Sequence, residues 1–266
     1  MRSSPASERS AKPEVRETRV GGALVRHRVA GAGPPLVCLH GLGGSSRWWA
    51  PVVPALAERH EVHLLDLPGF GGLGRRSTRV PLAAAAGWVV DWADAAGLAR
   101  FDLAGHSMGA AIAVRVAAER PERIRRLALV APAGLHLRPL GGHGLPLAFT
   151  LRRSGPRLLW LLGRDAARAG PRTLVRAALE MAADDVRADL HRVAAPTLVV
   201  CGARDALVPP SVGEIVRREL PLAELIVLEG AAHVPMLERP AECAEALVRF
   251  LEGEERPDRS GSVPRT

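Results

Sequence analysis

The sequence predicts an α/β fold: a mostly parallel central sheet with helices on both faces and an inserted helical segment. Three observations carry this expectation. Short apolar runs alternate with longer helical stretches from Leu36 to Leu251, as in a parallel sheet covered on both sides. The alternation breaks once, across residues 134–190, where no convincing strand occurs. The chain has 266 residues, 47% of them hydrophobic, enough for one domain with a sizeable core.

Each element follows from local pattern. Residues 15–20 and 23–30 alternate polar and apolar around Gly21-Gly22, a hairpin signal, and would form one antiparallel edge of the sheet. Residues 36–39 are a short apolar strand ending at His40-Gly41. Residues 47–59 read as a helix with Trp48, Val52, Val53 and Leu56 on one face. Residues 62–65 are the next strand. A helix is expected over 81–96, opened by Pro81 and closed before Gly97, with Trp88 and Trp92 four apart on its buried side. Strands follow at 101–104, 124–130, 197–201 and 225–228, and helices at 107–119, 211–220 and 240–251. The segment 134–190 holds a Gly/Pro-rich connection (137–146), an apolar-basic run (147–162) and two helices (171–181 and 184–192). It is expected as a cap over the strand ends, where ligands bind in open parallel sheets. The core is then residues 15–133 and 191–252. Residues 1–14 are expected as a disordered leader without the apolar stretch of a secretory signal, and 253–266 as a disordered tail.

The net charge of +8 invites a nucleic-acid or membrane reading, but Lys12 is the only lysine and the chain has no Asn, Gln or Tyr. Arginine replaces lysine throughout, as codon bias in a GC-rich genome produces. The basic residues are scattered, with no aromatic–basic stripe, so no nucleic-acid partner is expected. No apolar run reaches the length of roughly 20 residues that spans a bilayer, so no integral membrane segment is expected. Cys38, Cys201 and Cys243 form no paired motif; an odd number of thiols, two in apolar strands, points to a reducing, cytoplasmic setting. No His/Cys cluster has metal-ligand spacing, and neither metal nor cofactor is expected.

The chemistry concentrates at Gly105-His106-Ser107-Met108-Gly109, between a strand and a helix. In such a G-x-S-x-G turn the serine takes a strained backbone, small residues are needed on either side, and the hydroxyl is lifted toward a cleft. The helix starting there leaves the Met108 N–H free to face a developing negative charge. A serine hydroxyl needs a base, and the base an orienting acid. Asp205 lies just past strand 197–201, where it reads either as a surface-loop or cap aspartate or as that acid. His233 lies on a small-residue loop after the final strand, with few packing partners. Ser107, Asp205 and His233, in that order and each after a separate strand, form a far less accidental set than any one alone. His40-Gly41-Leu42-Gly43-Gly44 would supply a second amide, that of Leu42, with His40 bracing the loop by hydrogen bonding.

These motifs, with Asp66-Leu67-Pro68-Gly69-Phe70-Gly71, the stretch from Gly202 through Asp205 to Pro209, and that from Gly230 to Pro235, resemble the α/β-hydrolase superfamily, in its small, single-domain, capped branch of serine hydrolases. The resemblance covers roughly residues 15–251. It implies the α/β-hydrolase fold, Ser107 as nucleophile, His233 as base, Asp205 as orienting acid, and Leu42 and Met108 as oxyanion-hole amides. The Asp66 motif would be a structural turn near the cleft, here prolonged through residues 72–77. Relatives with an elbow aspartate, the epoxide hydrolases and haloalkane dehalogenases, are disfavoured by Ser107. The meta-cleavage C–C hydrolases share the Ser-Met-Gly elbow but carry asparagine beside the serine, where this chain has His106. The expected activity is hydrolysis of a carboxylic ester on a small-molecule substrate. C–C hydrolysis, acyl transfer (including to peroxide) and a non-catalytic ligand-binding role remain as alternatives. His106, Phe149, Trp160 and Val234 are candidate substrate contacts. The apolar, arginine-rich run leaves three readings open: packing on the sheet, an acyl pocket with an arginine near a substrate carboxylate, or loose docking on anionic membrane.

Overall fold

The structure is a computed structural model that describes residues 13–72, 79–135 and 156–253. Eight strands form one sheet: β1 (Glu14–Val20), β2 (Ala23–Ala30), β3 (Pro35–Leu39), β4 (Glu61–Leu65), β5 (Phe101–His106), β6 (Ile124–Val130), β7 (Thr197–Gly202) and β8 (Ala223–Leu228), in spatial order β1-β2-β4-β3-β5-β6-β7-β8. The β1–β2 hairpin is antiparallel and joins β4 antiparallel; every pairing from β4 through β8 is parallel. The expected N-terminal edge hairpin is therefore present, and β1 begins at Glu14, inside the expected leader.

The helices are α1 (Val53–Leu56), α2 (Leu82–Ala95), α3 (Met108–Glu119), α4 (Pro156–Ala169), α5 (Pro171–Ala183), α6 (Arg187–Leu190), α7 (Pro210–Glu219), α8 (Pro235–Glu238) and α9 (Pro240–Glu252). Successive strand residues face opposite sides. In β3, Val37 and Leu39 join the core under α2 and α3, whereas Leu36 and Cys38 join the core under α1 and α9. Burial on both faces is why the central strands read as unbroken apolar runs. None of the helices among the described residues is long and apolar enough to cross a membrane.

Two expectations need correction. The helix over 47–59 is instead a 3-10 turn, Ser46–Trp49, followed by the single helical turn of α1. Pro51 has no N–H to continue the ladder, and Ala50 and Val52 fall back on bonds to carbonyls three residues earlier. The inward face was nevertheless right, since Trp48, Val52, Val53 and Leu56 are all buried. The helix over 184–192 shrinks to α6. Asp184 is extended, its carboxylate paired with Arg115 of α3, and the chain re-enters a helix only at Arg187. Part of the apolar-basic run forms α4, while residues 136–155 lie outside the described residues, as do 1–12, 73–78 and 254–266, and with them most of the expected leader and tail.

The β4–β3–β5 order marks where the sheet's winding reverses. A crevice opens there at the carboxyl ends of β3 and β5. The loops after β3, β5, β7 and β8 all leave the sheet on this edge.

Candidate active site

Ser107 stands between β5 and α3 with φ +53° and ψ −115°, a conformation that costs a non-glycine residue about 1–3 kcal/mol. Close packing holds it there. A Cβ on Gly105 would lie 2.3 Å from the Gly109 carbonyl oxygen, and one on Gly109 2.7 Å from those of Leu39 and His40. The Ser107 N–H donates to the Val130 carbonyl (3.0 Å), and its own carbonyl accepts from Ala110 at the head of α3 (2.9 Å).

His233, on the loop between β8 and α8, places Nε2 3.1 Å from Ser107 Oγ. Its Nδ1 lies 2.8 Å from Asp205 Oδ2. A carboxylate only accepts, so Nδ1 carries the proton and Nε2 is left to accept from the serine. Asp205 follows β7; its other oxygen, Oδ1, accepts the N–H groups of Leu207 (2.8 Å) and Val208 (2.9 Å), and its side chain is fully buried. Both oxygens are thereby fixed, and one is aimed at the imidazole.

The loop after β3 turns tightly from Gly41 to Gly44, whose N–H donates to the Gly41 carbonyl (3.0 Å). Gly43 has φ +68°, which the third position of such a turn requires. His40 braces it as expected. Its Nε2 accepts the Leu67 N–H (3.0 Å) and its Nδ1 donates to the Gly41 carbonyl (2.8 Å), while burial pushes its pKa down and keeps the ring neutral. Asp66 ties the neighbouring turn, accepting the N–H groups of Ser46 and Gly72 (2.6 Å each). Leu42 is half-buried at the head of this loop, and Met108 is the first residue of α3, where a helix leaves its N–H groups without intrahelical partners.

The candidate substrate contacts divide. His106 is wholly buried and donates from Nε2 to the His233 carbonyl (2.7 Å); it stands behind His233, between that ring and Trp48, and has no surface to offer a ligand. Burial pushes it down to about 3, so it stays neutral. Val234 is buried beside His233. Trp160 is 64% exposed on α4, with the Arg164 guanidinium 4.9 Å from its ring centroid. Phe149 lies outside the described residues.

Two carboxylates that the motifs did not flag support the site. Glu238 of α8 accepts the N–H groups of Ala232 (2.7 Å) and Val234 (3.2 Å), pinning the chain on both sides of His233. Asp165 of α4, fully buried, accepts from Ser45 Oγ (2.6 Å), Trp48 Nε1 (3.2 Å) and Arg164 (2.9 Å). It fastens α4 to the segment that follows the Gly41–Gly44 turn.

The family model for the alpha/beta hydrolase family matches residues 36–246. The chain belongs to that family. Among relatives of this α/β hydrolase, the pimeloyl-[acyl-carrier protein] methyl ester esterase of Aeromonas hydrophila is 32% identical over 83% of this chain and 96% of its own length. The dihydrolipoyllysine-residue acetyltransferase component of the acetoin cleaving system of Pseudomonas putida is 33% identical over 90% of this chain and 70% of its own. Among solved structures, a bacterial membrane phospholipase A aligns with TM-score 0.81 and 28% identity, covering 93% of this chain and 88% of that one.

Proposed function

We propose that this serine ester hydrolase of the α/β-hydrolase family works through an acyl-enzyme on Ser107, with His233 as general base and Asp205 as its orienting acid. The observation that carries the reading is the unbroken line from Asp205 Oδ2 through His233 to Ser107 Oγ, at 2.8 and 3.1 Å. As the serine oxygen bonds to the ester carbonyl carbon, its proton passes to His233 Nε2 and Asp205 stabilises the imidazolium. The carbonyl oxygen, now negative, is received by the amides of Leu42 and Met108. The C–O bond then breaks, and His233 returns the proton to the departing alkoxide. Water, deprotonated by His233, repeats the sequence and releases the acid.

Residues 134–190 act as the cap of this site, and three buried, unpaired cysteines support a cytoplasmic setting. Relatives named for the pimeloyl-[acyl-carrier protein] methyl ester make methyl esters natural first substrates. The test is Ser107→Ala. Covalent labelling by a fluorophosphonate probe should vanish, and hydrolysis of a p-nitrophenyl ester should fall at least about 1,000-fold with the fold unchanged. Near-parental turnover in that variant would refute the assignment.

A further inference from the structure

A pocket opens between α3, α2, α5 and the loop after β4, walled by Phe70, Leu82, Ala85, Met108, Ile112 and Ala177. Met108 is the residue after Ser107, and Ile112 lies one turn further along α3. These residues all belong to the core on one face of the sheet. The neighbours of His233 (Ala231, Val234 and Met236) belong to the core on the opposite face. The distinction matters because His233 must protonate the leaving alkoxide, which therefore departs on the imidazole side. A pocket on the Met108 side is left for the group that stays bonded to Ser107.

Charge defines the rest of the pocket. Its lining includes one ion pair, Arg79 with Glu180 of α5. Both terminal nitrogens of Arg79 are engaged by the two Glu180 oxygens, one of them at 2.8 Å. Glu180 Oε2 also accepts the Leu82 N–H at the start of α2 (3.0 Å). The hydrogen bond raises the Arg79 pKa and lowers that of Glu180, so both remain charged and the pair is neutral overall. A substrate carboxylate entering here would have to displace Glu180 from a bidentate partner, so the arginine offers it no free charge.

Resting on the esterase reading above, we infer that this pocket binds the acyl chain of the ester as a short, uncharged alkyl group, and that Glu180, by occupying Arg79, excludes acyl chains ending in a carboxylate. The acid side of the substrate is thus selected by α2, α3 and α5.

The test compares kcat/KM across two ester series, one varying the acyl chain on a fixed p-nitrophenyl alcohol, the other varying the alcohol on a fixed acetyl group. Ala177→Leu fills the pocket and should lower the butyrate-to-acetate ratio at least about tenfold, the discrimination that one or two methylenes give in an apolar pocket. Ile112→Ala enlarges it and should raise the hexanoate-to-butyrate ratio by a similar factor. Neither should move the alcohol series, and thermal melting identifies any variant that fails to fold, in which case the other decides. Glu180→Gln should raise the ratio of monomethyl adipate to methyl hexanoate hydrolysis about tenfold by freeing the Arg79 charge. Unmoved acyl ratios, or a shift confined to the alcohol series, overturn the pocket assignment; an unmoved adipate ratio in folded Glu180→Gln overturns the role of the ion pair. Wild-type protein that neither takes the fluorophosphonate label nor cleaves any ester would fail the esterase reading instead, a result distinct from both.

Discussion

Ser107 reaches His233 only because the residues around each are held by groups that never touch a substrate. On the serine side this is steric, since Gly105 and Gly109 leave no volume in which the elbow could relax. On the histidine side it is a single carboxylate. Glu238 accepts from the amides directly before and after His233, so the imidazole hangs from a backbone clamped at both flanks. Glu238→Ala leaves two part-buried N–H groups without that acceptor, a loss of about 1–3 kcal/mol. It should lower kcat more than it raises KM, because substrate contacts are untouched while the imidazole wanders. Glu238→Gln, which keeps one carbonyl acceptor, should recover part of kcat; equal turnover in wild type and Glu238→Ala would show that the loop is held by other means. The elbow, Asp205 and His233 were legible in the sequence because each carries a local signature of small residues beside a reactive side chain. Glu238 and Asp165 were not, since a carboxylate on a short helix looks like any solvated acid until its acceptor geometry is seen. His106 misled for the opposite reason: its place beside the serine suggests substrate contact, yet that strand faces inward and buries it.

At the level of elements, the central parallel strands were readable because burial on two faces leaves each a strong apolar run. Residues 47–59 failed because helical periodicity in the apolar residues survives proline, whereas the hydrogen-bond ladder does not. Residues 156–196, before β7, were hardest, for their order comes from distant partners. Three of their carboxylates show this: Asp165 reaches Ser45 and Trp48, Glu180 reaches Arg79 and the head of α2, and Asp184 reaches Arg115. Asp165 meets its partners across about 120 positions of sequence, far outside any periodic window. Of the three it is the most deeply buried, so its removal should be felt most. Asp165→Ala strands the Ser45 hydroxyl, the Trp48 indole N–H and the Arg164 guanidinium, and should cost about 2–3 kcal/mol. Hydrogen exchange would locate the effect. Amides of α4 should exchange faster while those of β3, β5 and β6 keep their protection; uniform acceleration would mean that α4 and the sheet open as one unit.

For the molecule as a whole, the sheet carries a second chemical feature apart from the site, where the hairpin joins the parallel strands. His27 of β2 and His63 of β4 stack with ring centroids 5.6 Å apart, both against the edge of Trp92 on α2, and all three are buried. Burial, and then repulsion from His63 when that ring is protonated, pushes His27 down to about 4. An unfolded histidine protonates near pH 6.5, so between those values the unfolded chain binds a proton that the native one refuses. The stability that neutral His27 supports is therefore full above about pH 6.5 and declines as the pH falls toward about 4, by up to about 3 kcal/mol. Asp102 opposes this over part of the same range. Burial pushes its carboxyl up to about 6, so there the native state holds a proton that the unfolded chain has released. Raw stability against pH is the sum of such groups, and only a difference isolates one. In urea unfolding, the margin of wild type over His27→Leu, whatever its value at neutral pH, should shrink by most of those 3 kcal/mol near pH 4. A margin that stays constant with pH would mean that His27 titrates alike in both states, and that the hairpin edge admits water to the ring.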